Sequence, residues 1–331
     1  MDMENVRKSL PDNLADAIAQ LAVQPKGRYS QQETEEARGN LALMNDRVFF
    51  VTFSDNKNNR IITEIVNALR KIHALAPIPP IGRTTVQNVS VLDVLGRGMV
   101  GDLLGEGSLL NIAVEVQKNS QNDYAVRGTL TSSNVMRIRF NAGDDFTEAP
   151  DVIGVNILGF RLPELENRKM FCSRIVRAEY ESKETFLADK YSDYYVELPK
   201  MNEFTKKTLP ESYHGLWDLC CIFKARVNKH KEVIRMQAIT NPAALELSEE
   251  VRKAVASDEL VNETLDRKNE LEQLREYMVR REQRSKEEMI ITAIKSSVHP
   301  EAIEAMRQSA GIPESRLAEL GKQAQLTQVR K

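Results

Sequence analysis

No apolar run in this sequence approaches the roughly 20 residues needed to span a bilayer, and the opening Met1-Asp2-Met3-Glu4-Asn5 lacks the apolar core of a secretory signal. Both absences point to a cytoplasmic protein with no membrane partner. Cysteine is scarce: Cys172, Cys220 and Cys221 are the only three. Adjacent Cys220 and Cys221 are poorly placed to pair with each other, so no disulfide framework is expected and the compartment reads as reducing. The four histidines, His73, His214, His230 and His299, lack metal-ligand spacing and read as surface or capping residues. Net charge is lacking too. With 46 basic and 48 acidic side chains the chain carries −2, so no global field draws it to a polyanion and nucleic-acid contact needs a local basic patch. No internal repeat of about 20 to 50 residues is visible. What remains is an ordinary soluble composition, 41% hydrophobic and 28% charged over 331 residues. That length supports one large domain with an appendage, or two domains.

The patterning divides the chain into a polar N-terminal arm (1–40), a mixed core (41–200), a helical extension (201–296) and a short helical tail (297–331). In the arm, Leu14, Ile18 and Leu21 follow a helical spacing that Pro25-Lys26-Gly27 ends. Residues 31–38 read equally as a small docking helix or a frayed terminus. Order begins near Leu41. After the apolar Val48-Phe49-Phe50-Val51-Thr52-Phe53, the polar cluster 54–59 marks a turn or helix start. Ile61, Ile62, Ile65, Val66, Leu69 and Ile72 then recur at helical spacing until Pro77, Pro79 and Pro80 stop the helix. Strand patterns follow at 86–95 and 108–118, joined by a long hairpin tip rich in glycine, Gly96 through Gly107. A helix is predicted over 124–136, then strands at 151–160, 171–180 and 191–198. Beyond 201 helices dominate, with Trp217, Leu219, Ile222 and Phe223 as core. Over 245–294 a discontinuous apolar stripe through Val251, Val255, Leu260, Leu265, Leu271, Leu274 and Met278 favours a packed helix pair over a long coiled coil. Two short helices, 299–309 and 314–320, flank Gly311-Ile312-Pro313. The composite is a mixed α/β core with helices appended.

One strand carries a chemical anomaly: Asn111-Ile112-Ala113-Val114-Glu115-Val116-Gln117-Lys118. Alternate residues of a strand share a face, so Glu115 and Gln117 project together while Val114 and Val116 project the other way. A carboxylate and an amide on an apolar strand are costly to bury without a partner. If Asp93, in Val91-Leu92-Asp93-Val94, lies on the neighbouring strand, two carboxylates converge and a hard divalent cation is their natural partner. The bland alternative is an edge strand with its polar side chains in water. Elsewhere, Lys224, Arg226, Lys229, His230 and Lys231 form a basic run that suits a DNA backbone or a solvated helix face. Asp144-Asp145 reads as part of a loop.

These segments together resemble the PD-(D/E)XK nuclease family transposases, also called Rpn or recombination-promoting nucleases. The family pattern is an aspartate on one strand, a hairpin, Glu-x-Gln on the next strand, and a helix beginning near an arginine. Leu92-Asp93-Val94, Asn111 through Gln117, and Tyr124-Ala125-Val126-Arg127 match those elements in turn. Asp46-Arg47-Val48-Phe49 and Pro150-Asp151-Val152-Ile153 are similar to flanking family segments, and Gly311-Ile312-Pro313-Glu314 to its helical tail. The chain departs from the pattern at Phe50, where the family often has lysine, in its longer hairpin, and at Leu130 and Thr131. The resemblance implies a restriction-endonuclease-like mixed sheet flanked by helices, with a helical C-terminal extension. It implies an endonuclease dependent on Mg²⁺ or Mn²⁺, with DNA as partner, a homodimer by the symmetry of paired cuts, a link to recombination or mobile-element defence, and no organic cofactor. Asp93 and Glu115 would hold the metal, with the Val116 carbonyl as a further ligand and Glu64 reaching it through water. Gln117 stands where the wider superfamily has lysine and would orient the attacking water. Arg127 and Lys118 would meet the phosphate, although Arg127 suits a structural pair with Glu115 equally well. A degenerate nuclease fold used for binding or assembly, and a nuclease acting on RNA, are the alternatives.

Overall fold

The computed structural model of the chain describes residues 29–54, 56–85, 91–92, 98–99, 103–107, 110–120, 123–137, 150–185 and 190–329. Helices α1 (Gln31–Asn40), α2 (Asp46–Phe53) and α3 (Asn59–Ile72) come first. Short strands β1 (Arg83–Thr85), β2 (Val91–Leu92), β3 (Gly98–Met99) and β4 (Leu103–Glu106) follow. The centre is β5 (Leu110–Gln117), α4 (Tyr124–Arg137), β6 (Asp151–Leu158), β7 (Cys172–Val176) and β8 (Tyr191–Glu197). Helices α5 (His214–Lys224), α6 (His230–Met236), α7 (Pro242–Ala254), α8 (Asp258–Lys295), α9 (Pro300–Ser309) and α10 (Glu314–Val329) complete it. The chain forms two compact units, one spanning 28–264 and one that takes the chain from Leu265 onward.

In the first unit, six strands make one sheet in the order β1-β4-β5-β6-β8-β7. Strands β5, β6 and β8 run parallel, while β1, β4 and β7 join antiparallel. Inner parallel strands are buried on both faces, and nearly every residue of these three is buried, polar ones included. On one face Ile112, Val114, Val116, Ile153, Val155, Ile157, Tyr194 and Val196 are buried. His73, just past α3, lies against Tyr194 on that face, with ring centroids 5.7 Å apart. Helix α3 buries the isoleucine stripe that its spacing predicts, and α7 packs on α2, α3 and α5. Helix α4 covers the opposite face, over β5 and β6.

The first two elements of the predicted hairpin differ from expectation. The antiparallel neighbour of β5 is β4, inside the glycine-rich stretch read as a hairpin tip, with Leu103 facing Val114 and Glu106 facing Asn111. Val91 and Leu92 instead pair with Met99 and Gly98 in a separate two-stranded ladder. Gly105 sits inside β4, opposite Thr84 on β1 and Ile112 on β5.

The arm ends in a defined helix. Ser30 and Glu33 form a reciprocal capping box on α1, satisfying two N-terminal amides. The predicted helix pair over 245–294 is α7 and the 38-residue α8, interrupted after Ala254. Val251, Val255 and Leu260 are buried in the first unit, whereas Met278 on α8 is 46% exposed. In the second unit Ile290, Ile312 and Leu320 form a small core between the end of α8, α9 and α10. The last helix runs to Val329, longer than its sequence pattern predicts. No helix among the described residues is long and apolar enough to cross a membrane.

Candidate active site

Glu115 lies on β5, an inner strand, and is 4% exposed, which removes the edge-strand alternative. Its register partners are Asn156 on β6 and, one strand further, Tyr195 on β8. The same face carries Ala113, Gly154 and Asp193 in the preceding row. Gln117 and Glu197 occupy the following row, with Leu158 between them. Where the opposite face is mostly apolar, this one holds a row of polar groups beneath α4.

Helix α4 supplies the partners. Nη2 of Arg127 lies 3.8 Å from Oε2 of Glu115, with Arg127 36% exposed and the Glu115 side chain 5% exposed. Three residues earlier, and so on the same helical face, Tyr124 donates its hydroxyl to Oδ1 of Asn156 at 3.0 Å. Nδ2 of Asn156 donates to the Tyr194 carbonyl at 3.2 Å, so both ends of this buried amide are engaged. Two turns along, Ser132 donates to Oδ1 of Asp193 at 2.7 Å and Tyr191 donates to Oδ2 at 3.0 Å. Burial raises the Asp193 carboxyl above its ordinary value despite those two hydrogen bonds. Burial and the neighbouring Asp193 push the Tyr191 phenol up to about 12 and raise that of Tyr195 as well.

Two glycines permit this close approach. A Cβ on Gly128 would meet Oδ1 of Asn156 at 2.9 Å, and one on Gly154 would meet Oδ1 of Asp193 at 1.9 Å. The wall beside Tyr124 is apolar, made of Leu158, Leu162, Leu165 and Tyr195. A buried ion pair backs that wall. Oε1 of Glu197 accepts from the Leu162 amide at 2.8 Å, and Oε2 pairs with Nζ of Lys200 at 2.5 Å.

The structure thus brings together Glu115, Gln117 and Arg127 of the predicted site. Gln117 is half-buried and donates from Nε2 to the Asn119 carbonyl at 3.1 Å. Lys118 is exposed at the end of β5. Glu64 is half-buried on α3. Asp93 and the acidic pair Asp144-Asp145 lie outside the described residues. Sequence reasoning missed Asn156, Asp193 and the role of Tyr124. A signal was present: Asn156 interrupts the apolar run Val152 through Leu158 at the same parity as Gly154.

Other expectations need correction. His230 is a core residue rather than a surface one, fully buried with Nδ1 3.1 Å from the Ser248 hydroxyl, and burial lowers its pKa. His73 is half-buried, with its pKa lowered chiefly by burial. Much of the basic run is spent internally: Lys224 bonds Asn202, Arg226 reaches Asn40 at 2.9 Å and Lys229 pairs with Glu232. The cysteines are free and buried, with the thiols of Cys172 and Cys221 pushed up to about 12 by burial, which excludes them as nucleophiles near neutral pH.

Among the described residues no cluster of three His, Cys, Asp or Glu side chains could enclose a metal by itself. The Glu115 carboxylate is a hard-oxygen donor of the kind Mg²⁺ or Mn²⁺ prefers, and it fits such an ion if further carboxylates complete the set. Compared with known proteins, the chain matches the model of the family described as PD-(D/E)XK nuclease family transposase over residues 43–288. No curated protein and no solved structure matches it.

Proposed function

We propose that this chain, which belongs to the PD-(D/E)XK nuclease family transposases, is a divalent-metal-dependent endonuclease that hydrolyses phosphodiester bonds in DNA. Family membership supports a nucleic-acid substrate. The observation that carries the finer reading is a buried carboxylate, Glu115, on an inner strand, with Gln117 two residues on and the Arg127 guanidinium 3.8 Å away. A fold that needed only stability would place an aliphatic residue there, as its opposite face does.

Glu115 and Asp93 would hold Mg²⁺ or Mn²⁺, with Glu64 reaching it through water. The ion, when bound, acidifies a water and offsets charge on the phosphate. Gln117 cannot carry charge; its Oε1 orients a water by accepting its hydrogen. Arg127 is half-exposed, and its planar fork can present two parallel N–H groups to a phosphate. Lys118 adds an exposed positive charge at the end of the strand. Paired cuts on a duplex call for two sites, which a homodimer supplies.

The test is cleavage of supercoiled plasmid with Mg²⁺, with Mn²⁺ and with EDTA, for the wild type and Glu115→Gln. Cleavage that requires the ion and disappears in the variant is expected. Equal cleavage by Glu115→Gln would sink the assignment, and a labelled RNA in the same assay separates an RNA nuclease. Binding without cleavage would favour a degenerate fold. The first carboxylate is tested in parallel. Leu103 faces Val114 across the β4–β5 ladder, and Asp102 precedes Leu103 in the sequence. Asp93→Ala and Asp102→Asn therefore run side by side. Loss confined to Asp93→Ala supports the assigned pair, and loss confined to Asp102→Asn moves the first ligand there.

A further inference from the structure

We infer that Asn156 and Tyr124 are positioning residues for Arg127. Together they fix the roll of α4 on the sheet so that the guanidinium stays over Glu115. The inference rests on the nuclease reading for its catalytic consequence, but its geometry stands independently.

Asn156 is 1% exposed on a central strand and is the register partner of Glu115, so the two side chains stand side by side on one face. Val155 and Ile157, its neighbours on β6, show what burial alone selects at this depth. A buried amide costs free energy unless it is bonded at both ends, and this one is. Its Nδ2 is tied to the β8 backbone at Tyr194, which fixes the amide plane relative to the sheet. Its Oδ1 then offers one fixed acceptor to the helix above, and the Tyr124 hydroxyl takes it at 3.0 Å.

Tyr124, Arg127 and Gly128 lie at i, i+3 and i+4, on one helical face. Gly128 brings that face down onto Oδ1 of Asn156, with room for no Cβ. A helix so close to its sheet can still roll, because apolar contacts are non-directional. A directional hydrogen bond one turn from Arg127 removes that freedom. The Tyr124 ring is separately held edge-on to Phe160 at 5.6 Å, so the hydroxyl can be deleted without emptying the core.

The experiment is a double-mutant cycle between Tyr124→Phe and Arg127→Gln, read by urea unfolding and by cleavage kinetics, with Asn156→Ala as a second route to the same loss. If the hydroxyl acts through Arg127, Tyr124→Phe lowers kcat/KM about fivefold, the worth of one neutral hydrogen bond. In the Arg127→Gln background it lowers kcat/KM no further. In unfolding, the two substitutions are non-additive, because Tyr124 supports the Arg127–Glu115 pair. Asn156→Ala shows the same dependence on Arg127. A merely structural tyrosine would cost the same with or without Arg127. Additivity in both readouts overturns the inference, as does a Tyr124→Phe variant with wild-type kinetics and stability. If the wild type cleaves no nucleic acid, the nuclease reading falls and the unfolding cycle alone decides the clamp.

Discussion

Replacing Lys200 with methionine keeps the length and apolar stem of the side chain and removes its charge and its three donors. In the native protein Nζ donates to the carbonyls of Leu165 and Arg168, at 2.7 and 2.8 Å, and pairs with Glu197 at 2.5 Å. Lys200 is 2% exposed and Glu197 0%, so water cannot replace what is lost. The Arg168 carbonyl belongs to an exposed residue, and we count nothing for it. The main effect is an uncompensated carboxylate in the interior, which typically costs about 3–5 kcal/mol. We expect about 4 kcal/mol for Lys200→Met. Adding Glu197→Gln removes the stranded charge and keeps an oxygen for the Leu162 amide, so the double variant regains about half of that loss. The assay is urea unfolding followed by fluorescence of Trp217, the one tryptophan of the chain, 4% exposed and within the first unit. That probe reports on the unit containing the sheet, whatever the C-terminal helices do. The same variant should weaken cleavage, because the pair anchors Leu162 and Leu165, which wall the Tyr124 ring. A loss under about 1 kcal/mol, or a double variant less stable than the single, would refute the reasoning.

Gly154→Ala should cost at least about 2 kcal/mol by the same assay, since its Cβ would meet Oδ1 of Asp193 at 1.9 Å and the Ser132 hydroxyl at 2.4 Å, forcing α4 and the sheet apart. The folded-state pKa of His230 is depressed below 6.5 by burial, so its stabilisation is complete above 6.5 and is lost as pH falls through the lower folded value. Urea midpoints should therefore drop between about pH 7 and pH 5, and drop less in His230→Asn; identical slopes would count against this. Asp193 has the opposite sign: its folded pKa is raised above 3.8, so its contribution is present below 3.8 and lost as pH rises through the folded value. Asp193→Asn should then gain stability relative to the wild type as pH climbs from about 4, and a constant difference across pH would show that the carboxyl is not shifted.

The central strands and α3 are legible from residue pattern because burial imposes the pattern directly: a largely apolar run for β6, alternation for β5 and β8, and helical spacing for Ile61, Ile62, Ile65, Val66 and Leu69. Glu115 and Gln117 are legible because a period of two needs no tertiary knowledge. What pairs with what is not local. Asn156 becomes a neighbour of Glu115 only through a ladder between strands separated by a helix, and no spacing rule supplies that register. Likewise β4 hides in a stretch whose glycines read as turn residues, because its place in the sheet is set by ladders to β1 and β5 that local pattern does not show. His230 sits among lysines and reads as surface, yet Ser248 on another helix completes its buried site.

The two faces of the sheet divide the fold's tasks. The face toward α3 is mostly apolar from Ile112 to Val196, with Ser192 as its polar exception, and there stability sets most residue choices. The face toward α4 holds Asn111, Glu115, Asn156, Asp193 and Glu197, each buried, where an aliphatic residue would cost less. Glu115 lies beside the half-exposed Arg127. Asn156 and Asp193 tie α4 to the sheet by directional bonds, and Glu197 ties the Leu162 amide to it. That distribution is what a site needs when its chemistry depends on holding one guanidinium beside one carboxylate. Apolar packing would hold the helix down, but it would not fix where along the strand, or at what roll, Arg127 comes to rest.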